Sequence, residues 1–190
     1  MKNLFFDTET CGLPNNYKAH FSETENWPRV VQLSWLIADG EGNILTESDY
    51  IIKVDFEIPM AASRIHGITN DVAAKKGEPI KKVLESFLID LEKTDRLVCH
   101  NVGFDLPVLQ SELFRNNLKH EITLPNFCTM RNSTDYCQIP GSRGYKWPRL
   151  EELYDFCFGK EIVDAHNAKA DVRATYEIFY HLKNENVFEV

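Results

Sequence analysis

Two carboxylates stand two residues apart near the start of the chain. Asp7 and Glu9 follow directly after three large apolar residues, 4–6, a pattern typical of a short strand buried on both faces. Because side chains alternate along an extended strand, the two carboxylates point the same way. Like charges this close repel each other, and burial strengthens the repulsion, so a folded protein seldom keeps such a pair without a counter-ion. The pair therefore indicates either a site for a hard metal ion or an exposed acidic turn.

Two further aspartates lie on the apolar faces of predicted helices. Asp105 lies in the first turn of a helix predicted over residues 104–116. It shares the apolar stripe of this helix with Leu109 and Leu113. Asp171 lies in the same way near the start of the last helix, predicted over residues 168–183. Helix N-termini favour negative charge, so either aspartate alone could be a first-turn acid that stabilises its helix by up to about 1 kcal/mol.

Taken together, the four acids indicate a metal site. They can converge only if something neutralises them, and ligands that are all oxygen select Mg²⁺ or Mn²⁺ over zinc. Two such ions roughly 4 Å apart can clamp the attacking and leaving oxygens of a phosphodiester. His166, five residues before Asp171, is of the type that takes a proton from water at neutral pH. The alternative is that His166 caps the last helix or lies on the surface.

The predicted strands and helices that position these residues indicate an α/β fold. Three strands, the opening one and those at residues 30–38 and 44–54, form an antiparallel meander, and helices then alternate with short strands. This order predicts a mixed β-sheet flanked by helices, in a single domain of residues 1–190. Further strands are expected at 96–99 and within 121–127, and further helices over 59–65, 71–76, 78–92, 128–136 and 148–158.

Composition narrows the class of protein. The chain has 190 residues, of which 43% are hydrophobic and 26% charged, as in an ordinary globular protein. Its net charge of −8 argues against a protein that coats nucleic acid over many phosphates, but it permits one that grips a strand end. No apolar run reaches the length of a membrane span, so we expect no membrane interaction. The five cysteines contain no C-x-x-C pair and predict reduced thiols and a cytoplasmic location.

Three segments resemble the sequence motifs of the DEDDh 3′→5′ exonucleases. They are FDTET at residues 6–10, HNVGFD at residues 100–105 and HNAKAD at residues 166–171. A fourth segment, IHGIT at residues 65–69, is similar to the connecting motif of the proofreading branch. The group includes the proofreading subunit of bacterial replicative DNA polymerases, ribonuclease T and oligoribonuclease. Each motif is weak alone, but their order and spacing match across nearly the whole chain.

The resemblance implies a ribonuclease H-like fold and a two-metal hydrolysis that releases nucleoside 5′-monophosphates from the 3′ end of a single strand, with DNA favoured over RNA. The ligands of two Mg²⁺ or Mn²⁺ ions would be Asp7, Glu9, Asp105 and Asp171. His166 would orient and deprotonate the attacking water. The residues that would meet the terminal nucleotide are Thr8, Thr10, His66, Asn101 and Phe104. For His66 and Phe104, ordinary packing is the alternative.

One loop has the composition of a nucleic-acid contact independently of the motifs. Residues 143–149 interleave three cations with two aromatic residues, a combination that holds single strands without reading their sequence. The alternative is a loop whose aromatic side chains, Tyr145 and Trp147, anchor it to the core.

The predicted partner is therefore the 3′ end of single-stranded DNA or RNA. The resemblance to the proofreading branch allows a DNA polymerase or repair partner, although no sequence feature shows one, and a stand-alone exonuclease or one recruited through its own surface is the favoured interpretation. The alternative function is a catalytically silent module of the same fold that binds a nucleic-acid end or a protein. Such a module would usually lack one of the acids, and here all four are present.

Overall fold

A mixed β-sheet with helices on both faces organises the computed structural model, which describes residues 1–119 and 121–188. The strands are β1 (Lys2–Thr10), β2 (Val30–Asp39), β3 (Ile44–Lys53), β4 (Glu78–Pro79), β5 (Arg96–Cys99), β6 (Asn126–Cys128), β7 (Pro140–Gly141) and β8 (Gly144–Tyr145). The helices are α1 (Met60–His66), α2 (Asn70–Lys76), α3 (Ile80–Leu91), α4 (Val102–Arg115), α5 (Thr129–Asn132), α6 (Thr134–Cys137), α7 (Leu150–Phe158) and α8 (Ala168–Asn184).

The six main strands run in the order β4-β3-β2-β1-β5-β6. β1, β2 and β3 pair as the predicted antiparallel meander, and β5 and β6 add to the free side of β1 in parallel. β1 therefore lies inside the sheet, with a partner on each side. The predicted mixed α/β architecture is confirmed. The prediction of one domain over residues 1–190 stays a prediction, and residues 120, 189 and 190 lie outside the described part.

Alternation along β1 separates two cores. Leu4 and Phe6 belong to the cluster that includes residues of α3 and α4, whereas Phe5 belongs to the cluster that includes residues of α8. The same alternation places Thr8 on the α4 side of the sheet and Asp7 and Glu9 on the α8 side. β1 thus delivers polar groups to both faces at its C-terminal end.

Two predicted elements differ from the observed ones. The helix expected over residues 78–92 begins at Ile80, because Glu78–Pro79 pairs in parallel with β3 as β4. Gly77 permits this approach, since a Cβ there would lie 2.5 Å from the Lys53 backbone nitrogen. The helix expected over residues 128–136 is divided into α5 and α6 by Ser133, whose φ of −98° departs from helical geometry.

Several boundaries were also inexact. α4 begins at Val102, two residues before the expected start, and β6 is confined to the end of the expected 121–127 strand region and extends one residue past it. The stretch expected to be a loop near residue 140 contains the hairpin β7–β8. Among the described residues, no helix has both the length and the apolar character needed to cross a membrane. All five cysteines lie in the described part, and none is paired in a disulfide.

The long connection between β1 and β2 packs against α4. Glu112 of α4 is buried, and its Oε1 accepts hydrogen bonds from Arg29 Nε at 2.8 Å, Arg115 Nη1 at 3.0 Å and the Val30 amide at 3.2 Å. Arg115 also donates to the carbonyl of Trp27 at 2.7 Å and to that of Thr24. A buried ion-pair network therefore fastens this connection to the helix that carries Asp105.

Candidate active site

Three carboxylates meet where β1 ends beside the first turn of α8. One oxygen each of Asp7, Glu9 and Asp171 lies within 4.8 Å of the others. Asp7 and Glu9 share one face of the strand, and Asp171 lies one turn inside α8. The side chain of Asn167 caps that helix by accepting a hydrogen bond from the Lys169 amide at 3.1 Å. The predicted convergence of a strand-end pair with a helix acid is present.

The fourth acid reaches β1 from the opposite face of the sheet. Oδ1 of Asp105 accepts hydrogen bonds from the Thr8 amide at 3.1 Å and the Thr8 hydroxyl at 2.7 Å. Oδ2 accepts one from Cys99 Sγ at 3.3 Å. Asp105 is not a member of the close group of three, but its charge contributes to the raised pKa of Asp7. It is held in place by neighbours rather than left without donors.

Burial disfavours the ionised form of all four acids, and repulsion by neighbouring acids adds to this effect at Asp7, Glu9 and Asp171. Burial raises the pKa of Asp7 well above its usual range, and the charges of Asp105, Asp171 and Glu9 raise it further. Burial is also the main cause that raises the pKa of Glu9 to about 8 and the pKa of Asp105 and of Asp171 to about 6 each. Such a group is stable only when protons or a cation neutralise it.

The donor set fits a hard divalent cation. Every candidate ligand is a carboxylate oxygen, which is the ligand type that Mg²⁺ and Mn²⁺ prefer. Oδ1 of Asp171 is fully buried and has no hydrogen-bond partner among the described residues. A buried carboxylate oxygen without a donor is costly unless a cation contacts it. The arrangement therefore matches the cofactor class predicted from the sequence.

His166 lies beside this group and is open to solvent. Its side chain is 52% exposed, and its Nε2 lies 3.3 Å from Glu151 Oε1 at the start of α7. The backbone of His166 has a φ of +64°, a left-handed conformation that directs the chain into α8. The charge and backbone of His166 both lower the pKa of Asp171, opposing the effect of burial. The structure thus brings the histidine to the acids.

Three of the residues predicted to meet a nucleotide already have other hydrogen-bond partners. Both donors of Thr8 serve Asp105, and the Thr10 hydroxyl donates to the Gly12 carbonyl at 2.7 Å. His66 is buried, and its Nδ1 accepts a hydrogen bond from the Ile68 amide at 3.1 Å. Burial lowers the pKa of His66, and the Thr10 backbone partly opposes the shift. His66 and Thr10 are therefore neighbours at the end of β1.

The other two predicted nucleotide contacts lie at the start of α4. Asn101 precedes the helix with a left-handed φ of +68°. Phe104 is partly buried against the core, and its ring centroid lies 6.4 Å from that of Tyr17 in the connection between β1 and β2. Packing thus explains part of the position of Phe104, and its role toward a nucleotide stays a prediction.

The family model of the RNase T exonucleases matches residues 4–179. This match spans all three motifs and every acid of the site. The chain belongs to this exonuclease family. Membership confirms the predicted relationship to the DEDDh 3′→5′ exonucleases. No curated protein sequence matches significantly.

Solved structures of E. coli exonuclease I have the same fold as this family member. The complex with a dA16 oligonucleotide has 22% sequence identity and a TM-score of 0.77, covering 99% of this chain and 42% of that chain. The zinc-ion-bound complex with single-stranded DNA has 24% identity and a TM-score of 0.76, with coverage of 99% and 42%. The dT13 complex has 24% identity and a TM-score of 0.74, covering 96% and 41%. The present chain thus spans about two fifths of the length of the exonuclease I chain.

Two residues near the site were missed by sequence reasoning. Gln32 is buried on β2 opposite Glu9, and its Oε1 accepts a hydrogen bond from the Ala168 amide at 3.3 Å. It therefore links the sheet to the start of α8. Glu151 contacts His166, as described above. A polar residue inside an apolar strand could have drawn attention to Gln32, whereas nothing local distinguishes Glu151 from other first-turn acids.

Proposed function

We propose that this protein is a metal-dependent 3′→5′ exonuclease that acts on single-stranded nucleic acid, with DNA favoured over RNA, and releases nucleoside 5′-monophosphates. The observation that carries the proposal is the meeting of Asp7, Glu9 and Asp171 within 4.8 Å beside an exposed histidine. Support for the substrate comes from the E. coli exonuclease I structures, which contain dA16 and dT13 oligonucleotides. The zinc-bound complex supports dependence on a divalent cation.

The four acids would hold two Mg²⁺ or Mn²⁺ ions. Asp7, Glu9 and Asp171 offer one group of ligands, and Asp105 lies across β1 as the fourth. Bound there, the cations would polarise the phosphodiester and stabilise the negative charge that develops on it. The hydrogen bonds from Thr8 and Cys99 would keep Asp105 oriented and would favour its ionised form.

His166 would orient the attacking water and take its proton. Its ring is solvent-exposed and close to Asp171, so water can reach it. Glu151, 3.3 Å away, would stabilise the imidazolium that forms. Thr8, Thr10, His66, Asn101 and Phe104 would line the place of the terminal nucleotide.

Observations outside the site bear on the cellular role. We infer a cytoplasmic location from the five unpaired thiols. A function in proofreading or DNA repair, with a polymerase or repair protein as partner, stays a prediction from the family resemblance.

The direct test is incubation of the purified protein with 5′-labelled single-stranded DNA and RNA of one sequence, first with Mg²⁺ and then with EDTA. We expect a ladder that shortens from the 3′ end, nucleoside 5′-monophosphate as product, faster loss of DNA than of RNA, and no reaction in EDTA. Internal cuts would contradict the exonuclease assignment. Binding without any cleavage would instead support the silent module.

A further inference from the structure

A surface outside the acid site exposes two aromatic rings and two cations. It consists of Arg131, Arg143, Tyr145 and Trp147, and we call it the hairpin surface because β7–β8 supports it. Trp147 is 59% exposed and Tyr145 is 50% exposed. These rings do not anchor the loop to the core, which rules out the packing alternative raised by the sequence. Two half-exposed aromatic side chains two positions apart in one loop make this segment a candidate binding surface.

The hairpin surface is held in a defined position. The Lys146 amide donates to the Ile139 carbonyl at 2.9 Å, and Lys146 Nζ contacts both Glu152 oxygens at 2.6 and 2.8 Å. Glu152 also accepts a hydrogen bond from the Arg149 amide at 2.8 Å, which fixes the start of α7. Such anchoring reduces the conformational entropy that a ligand would otherwise have to remove.

Two cations of the surface remain available for an anionic ligand. Arg131 stacks over Trp147, with its guanidinium carbon 5.8 Å from the ring centroid. In the described part of the chain, neither Arg131 nor Arg143 has a carboxylate within salt-bridge distance, whereas the charge of Lys146 is neutralised by Glu152. A guanidinium that lies over an aromatic ring can still donate hydrogen bonds to a phosphate. In a protein of net charge −8, this is a local site of attraction for a polyanion.

Contacts connect the hairpin surface to the elements that carry the acids and His166. The Pro148 carbonyl lies 3.1 Å from His100 Nε2. His100 comes two residues before the start of α4. A Cβ on Gly103 would lie 2.9 Å from Arg131 Nη2, so the guanidinium lies over the first turn of α4, two residues from Asp105. Glu151, three residues after Pro148, contacts His166.

We infer that the hairpin surface binds the part of the single strand upstream of the nucleotide being removed. Bases stack on Trp147 and Tyr145, and Arg131 and Arg143 contact the phosphates. This inference rests on the proposed function, because it assumes that a 3′ end lies at the acids. Aromatic stacking with cationic contacts to the backbone holds single strands without sequence preference. DNA and RNA share this chemistry, so both are ligands of the surface.

The test measures binding rather than cleavage. Fluorescence anisotropy in EDTA follows 5′-labelled dT12, rU12 and an abasic 12-mer that keeps the phosphates and lacks the bases. We expect Trp147→Ala to weaken binding of dT12 and rU12 about tenfold and to leave the abasic strand nearly unaffected. Arg143→Ala should weaken all three strands about equally and reduce the slope of log affinity against log salt concentration.

Matched variants and an independent readout keep the test decisive. Phe156→Ala removes another aromatic ring, 51% exposed, and Lys81→Ala removes an exposed cation of α3; neither should change binding. Because Trp147 is exposed, its variant should fold, which circular dichroism verifies. An equal loss for base-bearing and abasic strands in Trp147→Ala, or no loss, would overturn the inference; no loss is also the result expected if the surface serves a protein partner.

The two proposals can fail separately. Base-dependent binding that needs Trp147, combined with no cleavage in Mg²⁺, would refute the exonuclease function and retain a single-strand binding surface. Cleavage from the 3′ end, combined with binding that Trp147→Ala leaves unchanged, would support the exonuclease function and refute the hairpin surface as a single-strand binding surface.

Discussion

In the part of the chain that the structure describes, the carboxylate of Glu112 and those of Asp7, Glu9 and Asp171 are neutralised in different ways. Glu112, near the end of α4, is contacted by two arginines and a backbone amide. Asp7, Glu9 and Asp171 have one another as close charged neighbours, and burial raises the pKa of each. Two arginines compensate the charge of Glu112, although its Oε2, like Asp171 Oδ1, has no hydrogen-bond partner among the described residues. In the described part of the chain, no arginine or lysine lies within salt-bridge distance of Asp7, Glu9 or Asp171, so these acids require protons or cations from solution. Glu112 thus maintains the fold, whereas Asp7, Glu9 and Asp171 are the proposed ligands of a cation.

The same contrast exists across β1. Asp105 faces Thr8 and Cys99 and receives hydrogen bonds from both, so its position is set before any cation binds. Asp171, on the other face, has a buried oxygen without a donor. One side of the strand is thus preorganised by the protein, and the other side is completed by the ligand.

The largest effect should come from removing a ligand acid. Asp7→Asn keeps the side chain's shape but loses its charge, so we expect kcat to fall by about 10³-fold or more because the stabilisation supplied by the cations is several kcal/mol. Without metal, this variant should be at least as stable as the original protein, since it relieves repulsion. Steady-state hydrolysis of labelled single-stranded DNA and thermal unfolding in EDTA measure the two quantities. Retained activity would mean that catalysis occurs elsewhere.

The next effect concerns the proton acceptor. His166→Ala should slow hydrolysis about 10²–10⁴-fold, while binding of metal and strand persists, because only proton transfer is lost. Single-turnover cleavage separates this step from binding. His181→Ala, a histidine in the last turn of α8, serves as the control and should leave the rate unchanged. A normal single-turnover rate in His166→Ala would remove His166 from the mechanism.

Breaking the ion-pair network of Glu112 should affect stability instead. Glu112→Ala leaves Arg29 and Arg115 without their buried partner, so we expect the free energy of unfolding to fall by about 3–5 kcal/mol. The control is Glu78→Ala, which breaks an exposed pair with Lys82 and should cost less than about 1 kcal/mol. Denaturant titration measures both. Equal costs would show that the Glu112 network is not a structural anchor.

A smaller effect should appear in the pH dependence of the metal-free protein. The folded-state pKa of Glu9 is raised to about 8, and those of Asp105 and Asp171 to about 6, so the folded state binds more protons than the unfolded state. The contribution of these acids to the free energy of unfolding should therefore fall as pH rises from about 4 to about 8. His100, whose pKa burial lowers from 6.5 to about 4, contributes in the opposite sense within the lower part of this range. Added Mg²⁺ should raise the Tm more at pH 8 than at pH 5.5, since the ligands must be ionised. An equal rise at both values would contradict this.

The sequence predicted the convergence of the acids more fully than the contacts that surround them. β1, the acids of α4 and α8, and the histidine before α8 are encoded by short local patterns, namely an apolar run followed by acids and apolar stripes at helical spacing. The Arg29–Glu112 pair joins residues 83 positions apart, and no local pattern indicates it. The same holds for β4, whose short strand depends on the nearby backbone of β3.

Contacts between residues distant in the sequence also determine the structure of the segments predicted as loops. The hairpin β7–β8 and the exposure of its aromatic rings could not be distinguished from a core-anchored loop, because the composition is the same in both cases. Glu151 acquires its significance only when α7 places it beside His166.

The most direct test of the difference between Glu112 and the acids at the end of β1 and in α8 is the number of divalent cations that the latter bind. Electron paramagnetic resonance can follow a Mn²⁺ titration at pH 7.5 in the presence of a nucleoside 5′-monophosphate. We expect two Mn²⁺ ions per chain in the original protein, loss of at least one in Asp171→Asn, and no loss in Glu112→Gln. Absence of bound Mn²⁺, or a stoichiometry that Asp171→Asn leaves unchanged, would contradict the assignment of these carboxylates as metal ligands.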